Sequence, residues 1–294
     1  MGRFAPSPTG PLHLGSLVAA LGSWLFARAK GGRWLVRMED LDTPRVVPGA
    51  ADDILRTLER FELTWDEKIV YQSQRLEYYD SAFEDLLGRK EIYACTCSRA
   101  DLLRAASAPT AGDERDAGAA IYPGTCRSGL PPGRAARAFR FRVPPGIFTF
   151  KDLLFGPISE NLEKSVGDFV VKRADGPYAY QLAVVVDDAA QGVTEVVRGA
   201  DLLDSTARQI ALQRALSLPT PAYAHLPLVL GANGKKLGKR DGALPIGTLD
   251  DARLRTAFAF ALSALGQGPA ETPLEAARRF DPSRIPREPR RAPG

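Results

Sequence analysis

The first 16 residues constrain the fold more than any other part of the chain. The sequence FAPSPTGPLHLGS at residues 4–16 contains three prolines and two glycines, so regular structure is unfavourable there. Residues 2–5 before it suit a buried strand, and residues 14–30 suit a buried helix. Free N–H groups at a helix N-terminus bind phosphate. We therefore predict a phosphate-binding turn with His13 and Ser16 at the helix mouth, with an ordinary turn as the alternative.

The next segments predict alternating strands and helices. Residues 34–38 read as a second strand, followed by an acidic cluster that begins at Glu39. Carboxylates at such a strand end bind an amine or a ribose, or simply cap the strand. Residues 48–61 and 75–89 have the apolar spacing of amphipathic helices. This order favours an α/β fold with a Rossmann-like, doubly wound parallel sheet.

The pattern changes after residue 90. Residues 99–106 are a short helix candidate, and residues 107–120 are a low-complexity loop. Further strands are expected at 139–143, 169–172, 193–198 and 224–230, and further helices at 205–216 and 250–265. The expected organisation is a catalytic half at 1–90, an inserted subdomain at 91–148, a second catalytic half at 149–242, a helical region at 243–281 and a disordered tail at 282–294.

The composition of the chain is that of a soluble globular protein. The 294 residues are 45% apolar and 25% charged, as in soluble globular proteins. No apolar run has membrane-spanning length, and the opening motif leaves no room for a signal peptide, so we expect a cytoplasmic protein. The net charge of +4 permits nucleic-acid binding without requiring it. Three cysteines, two of them at Cys95 and Cys97, indicate a metal site or free thiols.

A basic segment lies far from the opening turn. The sequence KKLGKR at residues 235–240 places four cations within six positions on a glycine-containing loop. Such a loop neutralises charge on phosphates, although most basic loops are solvated surface.

Together, the two motifs resemble the signatures of class I aminoacyl-tRNA synthetases. HLGS at 13–16 is similar to the HIGH motif, and KLGKR at 236–240 is similar to the KMSKS motif. RFAPSPTG at 3–10, RMEDLD at 37–42 and VRGAD at 197–201 look like the glutamyl/glutaminyl branch. The motifs depart from the usual pattern at Ser16, where histidine is usual, and at Gly238, where serine is usual.

Within that branch, the chain most resembles the glutamyl-Q tRNA(Asp) synthetases over residues 2–265. The 54 residues after Arg240 are too few for the anticodon-binding domains of a full glutamyl-tRNA synthetase, and the Cys95-x-Cys97, Tyr122-x-x-x-Cys126 pattern is similar to this family. The resemblance implies activation of L-glutamate with ATP, without tRNA, and transfer to the queuosine base in the anticodon loop of tRNA(Asp). We expect a monomer.

The resemblance also implies the substrate-binding residues. The glutamate-binding residues are Arg3, Ala5, Ser7, Glu39, Tyr180 and Arg198. The two arginines offer forked donors to a carboxylate, Glu39 pairs with the ammonium, and Tyr180 adds a hydroxyl. The alternative is that both arginines form structural ion pairs.

Activation is expected to proceed by in-line attack of the glutamate α-carboxylate on the α-phosphorus of ATP. The attacking group is already ionised, so no general base is needed, and catalysis comes from positioning and charge neutralisation. The implied catalytic residues are His13, Lys236 and Lys239. The implied ATP-binding residues are Pro8, His13, Gly15, Ser16 and Lys239, with Mg²⁺ accompanying ATP. Replacing Lys239 with alanine is expected to lower ATP–pyrophosphate exchange sharply.

The resemblance further implies one structural zinc ion. Its ligands are Cys95, Cys97, Tyr122 and Cys126, an uncommon set because thiolates and imidazoles dominate tetrahedral zinc sites. The competing interpretation is two buried thiols and one free thiol. Zinc is expected to hold the insertion against the tRNA. His225, the only other histidine, is expected to be structural.

Two other functions stay open. A shortened glutamyl-tRNA synthetase would charge an acceptor end, which the cysteine and tyrosine pattern disfavours. A non-catalytic tRNA-binding paralogue is suggested by Gly238 and the weak positive charge. The arginine-rich tail either binds phosphates or is simply solvated.

Overall fold

The computed structural model describes residues 1–98, 100–102, 121–237 and 245–293, in which helices and strands alternate. The predicted strand–turn–helix opening is confirmed by strand β1 (Gly2–Phe4) and helix α1 (Leu14–Arg28). The other helices are α2 (Ala50–Arg60), α3 (Leu76–Gly88), α4 (Leu162–Ser165), α5 (Tyr180–Ala190), α6 (Thr206–Ala215), α7 (Asp251–Ala264) and α8 (Pro273–Arg278). The other strands are β2 (Trp34–Met38), β3 (Val70–Tyr71), β4 (Ile92–Cys95), β5 (Ala138–Phe141), β6 (Phe148–Asp152), β7 (Gly156–Glu160), β8 (Phe169–Lys172), β9 (Glu195–Gly199), β10 (Ala222–Leu226), β11 (Val229–Leu230) and β12 (Arg290–Arg291).

Parallel strands form the centre of the molecule. Strand β2 pairs in parallel with β1 and β3, and β10 pairs in parallel with β9 and β6. The amides of Thr194 and Glu195 both donate to the carbonyl of Met1, which places the start of β9 beside β1. In parallel sheets, ligands bind at carboxyl strand ends where the connections diverge to opposite sides. Here that point lies between the ends of β1 and β9.

The expected α/β class is confirmed, but the sheets are mixed rather than purely parallel. Strand β7 is antiparallel to β6, and β5 is antiparallel to both β4 and β8. Strand β8 was expected to return to the main sheet; instead it pairs with β5 and adds to the sheet that carries Cys95. Sequence pattern alone does not choose the partner of a short apolar strand, because pairing depends on the tertiary arrangement.

Helix α1 is largely buried. Leu17, Leu21 and Leu25 are fully buried within one large apolar cluster that also includes Trp34. A methyl group added at Gly22 would lie 2.5 Å from Leu226 Cδ1, so glycine allows α1 to approach β10 closely. A helix that is apolar on most faces is typical of such a buried position. Because α1 is held in the core, the turn that precedes it is held next to the sheet.

The C-terminal residues differ from the expected disorder. Strand β12 pairs in parallel with β11, Ile285 is buried, and Phe280 packs edge-on against Phe26 with ring centroids 5.2 Å apart. The predicted strand at 224–230 is divided into β10 and β11, because Pro227 between them has no N–H to donate. Apolar contacts and strand pairing thus hold a tail whose composition suggested disorder.

Some predictions cannot be compared with the structure. Arg99, most of the helix candidate at 99–106 and the low-complexity loop at 107–120 lie outside the described residues. Helix α5 and the β6–β7 hairpin were not predicted. In the described part of the chain, no helix is long and apolar enough to cross a membrane.

Candidate active site

A cavity of about 390 Å³ opens at the carboxyl ends of β1 and β9, and we call it the arginine cavity. All six residues predicted to bind glutamate line it: Arg3, Ala5, Ser7, Glu39, Tyr180 and Arg198. Four arginines and two carboxylates are among its lining groups, which favours an anionic ligand. The fold therefore brings together residues that are up to 195 positions apart in the sequence.

Arg198 is a buried cation, 4% exposed, whose donors are mostly engaged. Its Nε donates to His225 Nε2 at 3.1 Å, and its Nη2 donates to Thr206 Oγ1 and the Leu202 carbonyl. Its Nη1 donates to Gln209 Oε1 at 2.8 Å and reaches the Tyr180 hydroxyl only at 3.5 Å. The predicted bidentate grip on a carboxylate is therefore not available to Arg198 as it stands. Its least engaged hydrogen is on Nη1, next to Tyr180, and both residues line the arginine cavity.

Arg3 is held differently, in a direct ion pair. Its Nε and Nη2 donate to the two carboxylate oxygens of Asp188, at 3.2 and 3.4 Å. The Nη2 of Arg37 lies 2.8 Å from Asp188 as well. Burial would raise the pKa of Asp188, but Arg3 and Arg37 hold that pKa below its ordinary value. Two of the three guanidinium nitrogens of Arg3, Nε and Nη2, thus form the structural ion pair given as the alternative. The third nitrogen, Nη1, has no hydrogen bond to any described residue.

Glu39 supplies a negatively charged group to the arginine cavity. Its side chain is 10% exposed and lies 3.5 Å from the Nη2 of Arg37. Its Oε1 is buried and receives no hydrogen bond in the described part of the chain. Burial raises the pKa of Glu39, and Arg37 only partly opposes this effect. This same oxygen is the one that lies 3.5 Å from Arg37 Nη2, so Arg37 is its nearest cation, while the Glu39 side chain lines the arginine cavity.

A second cavity of about 310 Å³ adjoins the first and shares Ala5, Ser7 and Gly199 with it. Its lining includes four of the predicted ATP or catalytic residues: His13, Gly15, Ser16 and Lys236. We call it the helix-mouth cavity because it lies at the N-terminus of α1, where backbone N–H groups bind anions.

His13 is the N-cap of α1. Its Nδ1 accepts a hydrogen bond from the amide of Ser16 at 3.2 Å, so a neutral ring carries its proton on Nε2. A methyl group at Gly15 would lie 3.1 Å from His13 Cε1, so glycine leaves room for the ring. The predicted position of His13 at the helix mouth is confirmed.

The other residues predicted to bind ATP or to act in catalysis do not all line the helix-mouth cavity. Lys236 lies on the rim of the helix-mouth cavity, half exposed and paired with Asp201. Pro8 lines neither cavity; it is buried, and its carbonyl accepts from the amide of Val47 at 2.9 Å. Lys239, together with Gly238 and Arg240, lies outside the described residues.

The four predicted zinc ligands form a separate group, the cysteine cluster. The sulfur atoms of Cys95, Cys97 and Cys126 all lie within 4.8 Å of one another. The Tyr122 hydroxyl is 3.6 Å from Cys95 Sγ and accepts the amide of Cys126 at 2.8 Å. Cys95 and Cys126 are buried and Cys97 is partly exposed. Tyr122 and all three cysteines are therefore neighbours, as the sequence pattern predicted.

The distances and charges in the cysteine cluster fit a tetrahedral metal. The sulfur atoms of Cys97 and Cys126 are 3.8 Å apart, about 3.8 Å being the edge of a tetrahedron with Zn–S bonds of about 2.3 Å. Burial would raise the pKa of Cys126, but hydrogen bonds from Thr96, Tyr122 and Cys97 lower it to about 7. Arg140 Nε lies 3.3 Å from Cys95 Sγ, and its guanidinium lies 3.9 Å from the Tyr122 ring centroid. A positive charge there favours thiolates.

Sequence reasoning missed several residues that shape the site. Asp188 fixes Arg3, and its neighbour Asp187 accepts from Arg75 Nε at 2.6 Å and from the Tyr79 hydroxyl at 2.7 Å. The available signal was a pair of aspartates inside the apolar helix sequence at 180–190, since a buried carboxylate requires partners. His225, expected to be structural, is buried and contacts Arg198 directly.

Comparisons with known proteins agree with this geometry. The family model described as tRNA synthetases class I (E and Q), catalytic domain, matches residues 1–272. The chain is 56% identical to the glutamyl-Q tRNA(Asp) synthetase of Geobacter sulfurreducens, over 97% of this chain and 93% of that protein. It is 57% identical to the protein of the same name from Aromatoleum aromaticum, over 92% and 82%.

A solved structure shows the same architecture. The crystal structure of a glutamate tRNA ligase from Elizabethkingia meningosepticum, in complex with its amino acid, matches with a TM-score of 0.81 and 31% identity. The match covers 98% of this chain and 66% of the ligase, so this chain spans slightly less than two thirds of the ligase's length.

Proposed function

Because the chain belongs to the class I tRNA synthetases of the glutamate and glutamine branch, and within them to the glutamyl-Q tRNA(Asp) synthetase family, we propose that it joins L-glutamate to the queuosine base of tRNA(Asp). The enzyme is a ligase that converts ATP to AMP and pyrophosphate. It activates glutamate without tRNA and then transfers it to the anticodon loop.

The charge pattern of the arginine cavity is the observation that carries this proposal. Glu39 lines the cavity as a carboxylate whose Oε1 lies 3.5 Å from Arg37 and receives no hydrogen bond among the described residues, while Arg3 and Arg198 face the same cavity as cations. An amino acid with a second carboxylate has the complementary pattern, one ammonium and two carboxylates. Glutamine would leave one arginine facing an uncharged amide, so charge pairing discriminates against it.

In our proposal the two substrates occupy the adjoining cavities for in-line attack. Ala5, Ser7 and Gly199 line both cavities, so the glutamate α-carboxylate is assigned to this shared wall and the ATP phosphates to the mouth of α1. A carboxylate oxygen attacks the α-phosphorus, the new O–P bond forms, and pyrophosphate leaves with the electrons of the broken P–O bond.

The catalytic groups act by charge and position. The nucleophile is already ionised, so catalysis depends on orientation and on neutralising charge at phosphorus and on pyrophosphate. His13, through Nε2, and Lys236, after release from Asp201, provide this charge in our proposal, and Lys239 is assigned the same role from its motif. Mg²⁺ accompanies ATP as part of the substrate. Attack by the queuosine base on the activated glutamate then releases AMP.

We also propose that the cysteine cluster holds one structural zinc ion through Cys95, Cys97, Tyr122 and Cys126. The ion supplies a crosslink between β4 and the segment around residues 122–126. No ligand of this cluster lines the arginine or helix-mouth cavity, so the chemistry of activation does not involve the ion.

Two assays test the proposed function. Glutamate-dependent ATP–pyrophosphate exchange without tRNA is expected, and its absence would identify a non-catalytic paralogue. Labelled glutamate is expected to attach to queuosine-containing tRNA(Asp) and not to queuosine-lacking tRNA(Asp) or tRNA(Glu). Charging of tRNA(Glu) would instead identify an enzyme that acts on an acceptor end.

A further inference from the structure

We propose that Asp152 and His225 form a hydrogen-bonded relay that positions Arg198 for carboxylate binding, so that both are positioning residues for glutamate. The inference rests on the proposed function, because it assumes that the ligand of Arg198 is the substrate carboxylate. Neither Asp152 nor His225 lines the arginine cavity, so both act on the ligand through Arg198.

Three neighbouring strands build the relay. Arg198 on β9 is the register partner of His225 on β10, and Asp152 ends β6, which pairs with β10 on its other side. Asp152 Oδ2 lies 2.6 Å from His225 Nδ1, and Arg198 Nε lies 3.1 Å from His225 Nε2. Asp152 and His225 are fully buried and Arg198 is 4% exposed. The order Asp152–His225–Arg198 is therefore fixed by the sheet itself.

Arg198 at one end of the relay and Asp152 at the other determine which His225 nitrogen donates a hydrogen bond and which accepts one. Arg198 Nε can only donate, so His225 Nε2 must accept, and the ring proton must be on Nδ1. At the other end, Asp152 Oδ1 accepts the amides of Leu154 and Phe155, which leaves Oδ2 to accept from Nδ1. Burial lowers the pKa of His225, in agreement with the neutral ring that an accepting Nε2 requires. The tautomer protonated on Nδ1 satisfies Asp152 and Arg198, and it also lets Nε2 accept from the Thr206 hydroxyl at 3.2 Å.

The relay also explains how a buried arginine remains available to a ligand. In the described part of the chain, every hydrogen-bond acceptor around the Arg198 guanidinium is an uncharged group. The negative charge of Asp152 is separated from Arg198 by one imidazole ring, so it compensates the cation without occupying its ligand-facing edge. Arg3, by contrast, gives two of its nitrogens to Asp188 directly.

Replacing Asp152 with asparagine should invert the His225 tautomer. The two amides that donate to Oδ1 require an oxygen there, so the asparagine NH₂ must face His225 Nδ1. That nitrogen then accepts, the proton moves to Nε2, and two N–H groups oppose each other at Arg198. Nitrogen-15 NMR of histidine-labelled protein reads this directly, because the chain has only two histidines. We expect protonated Nδ1 in the wild type and protonated Nε2 in the Asp152→Asn variant.

The kinetic consequence should be confined to glutamate. In the ATP–pyrophosphate exchange assay, Asp152→Asn is expected to raise the KM for glutamate about 10- to 100-fold, the range for a lost hydrogen bond to a charged group. The KM for ATP is expected to stay within about twofold, since helix-mouth contacts are unaffected. The matched control is Asp168→Asn, a buried aspartate that bonds Tyr93 and the Val143 amide instead. It should lose stability and keep both the tautomer and the glutamate KM.

If Asp152→Asn does not fold, a second pair of variants tests whether His225 positions Arg198. His225→Gln retains an acceptor for Arg198 and a donor for Asp152, whereas His225→Leu retains neither. The relay requires the glutamine variant to restore most of the glutamate affinity that the leucine variant loses. Equal losses in both variants, or an unchanged tautomer and KM in Asp152→Asn, would overturn the proposal.

Binding measurements separate this inference from the proposed function. Calorimetric titration with L-glutamate needs no catalysis, so it reports on Arg198 even if the wild type lacks exchange activity. Wild-type binding that weakens in Asp152→Asn but not in Asp168→Asn supports the relay. Absence of exchange alone rejects the proposed activation reaction, whereas equal L-glutamate affinity in the wild type and Asp152→Asn rejects the relay.

Discussion

The arginine cavity and the cysteine cluster both bury ionisable groups, but they neutralise them differently. Behind the wall of the cavity, Asp188 contacts Arg3 and Arg37, and Asp152 is linked to Arg198 through His225. In the cluster, three thiols and one phenol face mainly each other, and Arg140 reaches Cys95 from one side. The cavity thus balances most of its charge with side chains, whereas the cluster gathers atoms whose common partner is a cation.

This difference indicates that the two regions can be changed independently. The cavity is built from the ends of β1, β2 and β9, whereas the cluster is attached to β4 in an antiparallel sheet. Changes in the cavity should alter glutamate activation with little effect on metal content. Changes in the cluster should alter metal content and stability with little effect on activation.

The largest effect is expected at Arg198. Arg198→Ala should lower kcat/KM for glutamate about 100- to 1,000-fold, because it removes the cation proposed to pair with the substrate carboxylate, and truncating one partner of a buried charge pair costs about 2–5 kcal/mol. ATP–pyrophosphate exchange measures this. Arg173→Ala is the control: Arg173 also lines the cavity, but it is paired with Asp175 near the surface, and its loss should cost less than about threefold. Equal effects of the two variants would mean that burial of Arg198 is unimportant.

A smaller effect is expected at Glu39. Glu39→Gln should raise the KM for glutamate about 10- to 100-fold, through loss of a charged hydrogen bond to the ammonium. Burial raises the pKa of Glu39, and the ammonium requires the ionised form. Wild-type affinity should therefore be full above that pKa and fall as the pH drops through it. The variant should lack this acid limb, and the exposed Glu77→Gln should retain it; an identical pH profile in Glu39→Gln would remove Glu39 from the site.

Changes in the cysteine cluster should affect zinc content and stability and leave glutamate activation nearly unchanged. Cys126→Ser should abolish stoichiometric zinc and lower the unfolding free energy by roughly 3 kcal/mol or more, because metal binding contributes to folding. Exchange without tRNA should change less than about twofold, since the sites are separate. Elemental analysis and thermal unfolding with chelator, then with added zinc, check both points. Wild-type protein without zinc would favour the alternative of free thiols.

The smallest effect is expected at Arg140. Arg140→Gln should weaken zinc about tenfold, the lower end for outer-shell partners of a metal site, and should leave exchange unchanged. Chelator competition measures the affinity. Arg142→Gln is the matched control, since Arg142 stacks on Tyr93 instead of contacting a cysteine. Equal zinc affinity in both variants would show that Arg140 does not stabilise the thiolates.

Much of the candidate site was predictable because it depends on short motifs. The prolines and glycines before Leu14 determine where α1 can begin, and His13 caps it with an acceptor three residues from Ser16. The four residues of the cysteine cluster were predicted from the resemblance to the family, because the cysteines alone left a metal site or free thiols open. Pro8 stays a prediction transferred from the motif: it is buried, and its carbonyl accepts from the Val47 amide.

The partners of the charged residues were not predictable in the same way. The arginines were predicted to grip carboxylates with two donors each, yet Asp188 takes two nitrogens of Arg3 and four neutral side chains surround Arg198. The tail was expected to be disordered from its composition, yet β12 pairs with β11. In each case the deciding contact joins residues that are far apart in the chain.

The sequence by itself determined the local geometry and the family: a strand, a proline-rich turn and a helix mouth, with the residue types needed for an amino acid and a nucleotide. Only the tertiary structure decided which charge compensates which. Local motifs depend on backbone preferences over a few residues, whereas strand register and helix packing choose partners such as Asp152 for His225. That choice leaves one arginine tied to a carboxylate and the other positioned through a neutral histidine.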